Sequence, residues 1–352
     1  MRKRACIRIL MTALMVMSLV ISCSKQTRLP DSQSREIAFT PLGSAITKTE
    51  SLLDADQVFG VYAYYANCQD GTVWNDNRAW PVATEYFSNV VFAKSDGYWG
   101  GTPDPCYWPF EGSLMFAGYC PHENYSGGTI TGVDFIPNED DRNPYIHIEF
   151  TQKTIPADMV DLLWFDVKDV VNGQDLPNGV AISNRDLPVH LKFKHALSKV
   201  SFEFQDVANY FYLSSIKLKD CINSSEFYSG ATPGWLPDID AVADYELLNV
   251  AESDEKPLFN GWTSEEQILF IIPQYLDGIF PTMTGTLDNG LDVVLEFTLT
   301  DGFGSEVVSV PLKNFTQRWE MGMHYHYTIS VNADPIGFVS PSVTITQQVV
   351  SM

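Results

Sequence analysis

Positive charge is what this chain has least of: 22 Lys and Arg stand against 44 Asp and Glu in 352 residues, a formal net charge of −22. That excess of carboxylates argues against nucleic acid and anionic lipid headgroups as partners, since both are held by clustered cations. Cysteine is scarce too, six in all, and no two are spaced as a C-x-x-C or other close zinc pair. The chain carries neither a P-loop nor a dinucleotide glycine fingerprint. Beyond the first two dozen residues no apolar run approaches the roughly 20 residues that a membrane-spanning helix needs. Helical spacing is sparse as well. Only 157–170 is open to it, and the β-branched and aromatic residues there suit a strand equally.

Aromatic residues, by contrast, make up 13% of the chain, with 23 Gly and 20 Pro. This mixture suits many short strands joined by turns. Val58-Phe59-Gly60-Val61-Tyr62-Ala63-Tyr64-Tyr65 and 108–119 read as strands, as does Glu36-Ile37-Ala38-Phe39-Thr40, closed by Pro41. In the second half, apolar residues recur at every other position: Val189, Leu191, Phe193; Val200, Phe202, Phe204; 291–299; and Met323, Tyr325, Tyr327, Ile329, Val331. Period two means half-buried strands, and the antiparallel arrangement is the expected one. Ile268-Leu269-Phe270-Ile271-Ile272 is apolar throughout, as in a strand covered on both faces. The fold class is all-β, with two sandwich domains over 36–187 and 188–352, parted at the turn-rich stretch before Pro188.

The start of the chain has the anatomy of an export signal. Arg2, Lys3, Arg4 and Arg8 precede an apolar stretch over 9–21, then Ser22 and Cys23, then a polar run. Val20-Ile21-Ser22-Cys23 resembles the bacterial lipobox, which implies a signal peptide over 1–22, a lipid on Cys23, and a polar tether over 23–35. Loss of residues 1–22 leaves 18 cations against 44 carboxylates, so the exported chain carries −26. With Cys23 lipidated, Cys68, Cys106, Cys120 and Cys221 allow three pairings, and the sequence does not choose among them.

The stretch Phe193-Lys194-His195-Ala196-Leu197-Ser198-Lys199-Val200 resembles the signature of the fimbrillin-like proteins, the type V pilins and related surface lipoproteins of Gram-negative anaerobes. Other segments resemble that family's motifs in order: Phe59–Tyr65; Trp108-Pro109 with Leu114–Tyr119 and Pro121; Asp161-Leu162-Leu163; Ile272-Pro273-Gln274; and Trp319 with Gly322, Tyr325 and Tyr327. The likeness spans about 36–346, although the chain ends without the tryptophan that often closes such proteins. It implies two transthyretin-like antiparallel β-sandwich domains in tandem, no enzymatic activity and no cofactor. It further implies an outer-membrane lipid anchor, assembly into a fimbrium with other pilin subunits, and adhesion to a surface ligand that the sequence does not identify.

In fimbrillins an N-terminal strand is removed by proteolysis, and a neighbour's strand fills the groove. Transferred here, the displaced strand is 36–40, burying Ile37 and Phe39. Lys48 is the only basic residue between Phe39 and Arg78, and a cut there frees the strand, whereas a cut at Arg28 or Arg35 leaves it attached. The donor segment is the chain's end, where Val343, Ile345 and Val349 share one parity. The alternative is that 342–350 simply completes its own sheet.

Other constellations read more plainly. His324 and His326 lie two apart on a strand and face one way, but no third metal ligand is placed, so no metal is expected. His195 has no identifiable catalytic partner. Glu139-Asp140-Asp141 and Asp238-Ile239-Asp240 lack the full ligand series of a calcium loop. Tyr98-Trp99-Gly100-Gly101 with Tyr107-Trp108 reads as an aromatic loop able to stack on a sugar, the basis of a second class of function: a glycan- or peptide-binding surface lipoprotein that does not polymerise. An exported enzyme ranks last.

Overall fold

The strands Phe59–Ala66 and Ser113–Cys120 pair over seven residues, from Gly60 opposite Tyr119 to Ala66 opposite Ser113. Every residue of the second is buried, because both faces of this sheet are covered. That explains an apolar run without alternation. The pairing is close enough to require glycine at 118, where a Cβ would lie 2.3 Å from the Gly60 carbonyl oxygen. The computed structural model describes residues 35–42, 57–66, 84–95, 97–110, 112–137, 144–166, 170–171, 180–181, 188–206, 211–230, 232–250, 256–257, 261–264, 268–282, 285–300, 304–332 and 342–352.

These two strands belong to a ten-stranded sheet. Its path runs from Lys194–His195 through Leu163–Phe165, Ser113–Cys120, Phe59–Ala66, Thr84–Ser95, Tyr98–Gly101 and Ala38–Leu42 to Val189–Lys192 and Val170–Val171. Only Phe193 separates the strand that begins this path from Val189–Lys192 near its other end. The sheet therefore curls until one segment, 189–195, borders it on both sides. Closure of this kind removes free edges and creates an inside. The inside holds Phe39, Phe59, Phe92, Phe116, Phe165 and Phe193.

The outer face carries Tyr62, Ala117, Tyr119 and Trp164 against Ile146, Ile148, Phe150 and Phe227 of a four-stranded sheet. That sheet is built from Gly234–Pro237, Ser224–Tyr228, Tyr145–Thr151 and Ile130–Ile136. A separate sandwich closes over a third core. One of its sheets contains Trp262–Thr263, Ser198–Asp206, Met323–Asn332 and Ser342–Ser351, with Leu269–Ile271 also on Ser198–Asp206. The facing sheet contains Val242–Asn249, Tyr212–Ile222, Val294–Thr300 and Ser305–Pro311. Val200, Phe202 and Phe204 meet Leu218, Leu295 and Phe297 between them.

The fold is all-β, as the alternation predicts, with several departures in detail. Among the described residues two ladders are parallel: Ala38–Leu42 with Val189–Lys192, and Ser198–Asp206 with Met323–Asn332. The first strand does not stop at Pro41 but runs through it to Leu42. Its contact with Tyr98–Gly101 covers only Ala38 and Phe39, so the missing N–H of Pro41 breaks no bond on that side. Among the described residues, the stretch 157–170 holds the end of a 3-10 turn, Pro156–Asp158, the short strand Leu163–Phe165 and the start of Val170–Val171. Leu291 lies outside its expected strand and is exposed, and the buried alternation begins at Val293. The apolar run 268–272 is covered on both sides as expected: Leu269 and Ile271 enter the sandwich core, Ile272 the core under the four-stranded sheet.

Glu36–Met352 forms one compact unit. A cut between 187 and 188 crosses its sheets, since Val189–Lys192 lies in the closed sheet and Ser224–Tyr228 pairs with Tyr145–Thr151.

Candidate functional site

The N-terminal strand Ala38–Leu42 fills a slot in the closed sheet. Phe39 pairs with Trp99 on one side and Val189 on the other. Just before the strand, the Ile37 N–H donates to the Cys106 carbonyl at 2.7 Å, and Glu36 bridges to Tyr107. Ile37 and Phe39 are wholly buried. The Phe39 ring sits edge-on to Phe92, Phe116 and Phe59, with centroids 4.8, 5.1 and 6.1 Å away. Burying one such side chain stabilises by about 1.5–3 kcal/mol, and edge-to-face pairing adds to it. Both residues expected to be buried here are therefore the anchors of the segment. Arg35, just before it, is exposed, while Lys48 and Cys23 lie outside the described residues.

The C-terminal strand Ser342–Ser351 is seated differently. It pairs antiparallel with Met323–Asn332 over ten residues, from Met323 opposite Ser351 to Asn332 opposite Ser342, and forms the edge of its sheet. Beyond it, the Met352 N–H donates to the Gly322 carbonyl at 2.9 Å. Val343 and Ile345 are partly buried against the sandwich core. Val349 shares their parity but is 43% exposed, so the inward face runs out before the strand ends. In this arrangement the segment completes its own sheet.

Four of the motifs, those at 161–163, 193–200, 272–274 and 319–327, meet where the closed sheet borders the sandwich. His195 Nδ1 lies 2.7 Å from Asp161 Oδ2, a partner that sequence separation hides. The Ala196 N–H donates to the Leu162 carbonyl, and the Trp235 indole to the Ala196 carbonyl at 2.7 Å. The Ser198 hydroxyl donates to the Glu320 carbonyl, and the Gly322 N–H to the Leu197 carbonyl. Gly322 has φ +72°, a value that favours glycine. Gln274 is buried and its Oε1 accepts from the Ile222 N–H, while Trp319 donates its indole N–H to the Tyr327 hydroxyl at 2.9 Å. These bonds satisfy polar groups that burial would otherwise leave unpaired. Asp161 and His195 thus knit strands together.

The aromatic segment expected to stack on sugar is not a loop. Tyr98–Gly101 is a strand, and Trp99 and Trp108 are 3% and 2% exposed. Their faces are consumed by the core, so neither ring is open to a ligand. His324 Nε2 and His326 Nδ1 both approach Ser201 Oγ, at 2.7 and 2.9 Å, and His326 Nε2 lies 3.5 Å from Glu203. His324 is held down to about 4, by burial first, then by Lys199 and His326. Asp238 caps its own turn, accepting from the Asp240 N–H, and the acidic run 139–141 lies outside the described residues. Cys106, Cys120 and Cys221 are free thiols, and Cys68 lies outside the described residues. Burial, then Glu36 and Asp104, pushes the Cys106 thiol up to about 11, so it stays protonated at neutral pH.

Sequence reasoning missed a cleft of about 810 Å³ whose lining includes Trp235, Tyr275, Phe280, Arg318 and Glu320. Its walls come from segments some 80 residues apart, and of the motifs only Ile272-Pro273-Gln274 and the one around Trp319 reach it.

The chain resembles known folds over most of its length. A candidate cell adhesion protein of Bacteroides ovatus aligns with TM-score 0.50 at 15% identity, over 90% of this chain and 98% of that one. A candidate cell adhesion protein of Bacteroides uniformis gives 0.49 at 13%, again over 90% and 98%. The tip fimbrial protein Mfa3 of Porphyromonas gingivalis gives 0.36 at 10%, over 85% and 95%. No curated protein matches the sequence. The fimbrillin-like family model matches residues 45–347, most of the chain, and the protein belongs to the fimbrillin-like family.

Proposed function

We propose that the protein is a structural fimbrial subunit or surface adhesin, exported as a lipoprotein precursor and assembled by strand exchange. The observation that carries this reading is the seat of the first strand. A five-residue strand lies between two neighbours, its Phe39 ringed by three phenylalanines. Its removal would open an apolar slot flanked by unpaired main-chain groups of Tyr98–Gly101 and Val189–Lys192. Such a slot is a template for an incoming strand, with affinity from main-chain bonds and specificity from alternate side chains. The C-terminal strand is the natural donor: it is an edge strand of ten residues with Val343, Ile345 and Val349 on one parity.

In this reading Cys23 carries the lipid that holds the precursor at the outer membrane, and other pilin subunits are its partners. Cleavage after Lys48 releases the first strand, while a cut at Arg35 keeps it in place. The test is to isolate assembled material from cells producing the wild-type chain and to sequence its N-terminus. A start at Thr49 and a ladder of oligomers in partly dissociating gels are expected. A start at Cys23 or Glu36 in assembled material overturns cleavage after Lys48. Continued fatty-acid labelling of a Cys23→Ser variant overturns the lipid assignment.

A further inference from the structure

We propose that the cleft between the four-stranded sheet and the sandwich is a binding site for a neutral saccharide, formed by the rings of Trp235 and Tyr275 and the Arg318–Glu320 pair. The cleft, of about 810 Å³, is lined on one side by Pro233–Pro237 and on the other by Pro273–Tyr275, Phe280 and Arg318–Met321. That volume lies within the range of roughly 300–1,000 Å³ usual for ligand sites, which combine apolar walls with a few placed polar groups. Trp235 is held in place by its indole bond to Ala196 and by ring contacts with Phe150 and Phe227. Tyr275 packs edge-on against Phe280, centroids 6.0 Å apart. Both rings are half-buried, so each is rigid yet still reaches the cleft.

The polar groups narrow the occupant. Arg318 donates through Nε and Nη2 to Glu320 Oε1 and through Nη1 to the Tyr275 hydroxyl at 3.3 Å. Both members of this pair are about half exposed, so rearranging them around a ligand costs little. One cation beside one anion leaves no net charge. A charged ligand would compensate one and repel the other, whereas sugar hydroxyls can accept from the guanidinium and donate to the carboxylate. The C–H face of a pyranose packs on an aromatic ring as any apolar surface does.

The backbone argues against a peptide strand in the same place. Pro233, Pro237 and Pro273 have no N–H to offer. The opposite wall is already paired with itself: Tyr275 bridges Arg318, the Trp319 N–H donates to the Gln274 carbonyl, and the Leu276 N–H to the Gln317 carbonyl. The Leu236 carbonyl accepts from the Ser225 hydroxyl. An occupant therefore meets side chains and few free main-chain groups, which suits a saccharide better than strand addition. This site deepens the adhesin half of the proposed function, but binding here does not require assembly.

The experiment is saturation-transfer NMR on the purified full chain with cellotriose, mannotriose and triacetylchitotriose, with sialyllactose as the charged counterpart and an octaproline peptide as the rival. At least one neutral trisaccharide should show transfer and compete over sialyllactose. Arg318→Ala and Glu320→Ala should each weaken it about tenfold or more, with melting curves confirming a folded chain. Tyr275→Phe, which keeps the ring, should retain most of the binding. Transfer from none of the neutral sugars, transfer untouched by Arg318→Ala and Glu320→Ala, or preference for the peptide or the charged sugar each overturns the proposal. Ladder formation by the wild-type chain, scored separately, shows whether the assembly reading has failed instead.

Discussion

The two ends of the folded chain are both strands, and they are held by opposite means. Ala38–Leu42 is short and central, with neighbours on both sides and an aromatic anchor in the core. Ser342–Ser351 is twice as long but lies at an edge, paired on one side, with Val343 and Ile345 as its core contacts. The first is therefore secured mainly by burial, the second mainly by its ladder. Main-chain bonds at an edge exchange readily for bonds to water or another chain, since the net worth of each is only about 0.5–1.5 kcal/mol. Buried aromatic area has no substitute in water. An intact chain should thus release its end far more easily than its beginning, and freeing the beginning calls for a covalent event.

The sharpest way to break this contrast is to truncate the anchor. Phe39→Ala should destabilise the uncleaved chain by about 3–5 kcal/mol, the usual cost of emptying an aromatic core site. Urea unfolding measures it. A loss below about 1 kcal/mol would mean that the strand is not held by its ring, and the comparison would fail at its stronger end.

Removing the other end altogether should cost less. Deleting residues 342–352 uncovers the edge of Met323–Asn332 and the inner contacts of Val343 and Ile345. We expect a folded monomer destabilised by about 2–3 kcal/mol, because the conformational entropy regained by the released segment offsets most of the ladder and of the two partly buried aliphatic side chains. The same variant should give no oligomer ladder. Normal polymers would remove the donor role from this segment.

A pair of point changes separates the segment's two roles. Ile345→Asp places a carboxylate against the sandwich core and should cost about 1–3 kcal/mol. Val349→Asp, at an exposed position, should stay within about 0.5 kcal/mol. If the strand also serves a neighbour, Val349→Asp should nevertheless reduce polymer yield, because Val349 shares the parity that would face the neighbour's slot. Unchanged polymers from Val349→Asp would confine the donor contact to Val343 and Ile345.

Much of this comparison was legible in the chain itself. Period-two runs placed Val200, Phe202 and Phe204, and Tyr325 through Val331, on the buried face, because a strand covered on one side records that fact in alternate residues. The burial of Ile37 and Phe39 came instead with the family resemblance, which marked 36–40 as a strand seated in a groove. The parallel partner of the first strand was not legible, since nothing local in 38–42 encodes a segment 150 residues away. Trp99 and Trp108 misled because composition reports that a ring is present and not which way it faces. The pairing of Asp161 with His195 joins two motifs each readable alone, but their meeting depends on the register between Leu163–Phe165 and Lys194–His195. The wall of the sugar cleft at Gly234–Pro237 escaped notice because that strand carries no alternation of its own.

The smallest effect concerns acid and should fall on the C-terminal end alone. His324 lies on Met323–Asn332, opposite Val350 of the C-terminal strand and Lys199 of its other neighbour. The titratable and charged groups beside it are Lys199 and Glu203 on one strand and His326 on its own. At matching positions the C-terminal strand offers Thr346, Gln348 and Val350, none of which ionises. Burial, Lys199 and His326 hold His324 down to about 4, against 6.5 for a free histidine. The unfolded chain therefore takes up this proton first as pH falls. Stability is complete above about pH 6.5 and is lost progressively between 6.5 and 4, by about 1 kcal/mol once the half-exposed setting is allowed for. Urea midpoints at pH 7.5 and 4.5 should show that loss in the wild-type chain and a smaller one in His324→Gln. Amide protection, taken relative to the intrinsic exchange rate at each pH, should fall in 342–351 over the same interval while 38–42 keeps its protection. An equal acid loss in both chains would detach His324 from the effect, and an equal fall in protection at both ends would show that the edge strand and the buried strand are held alike.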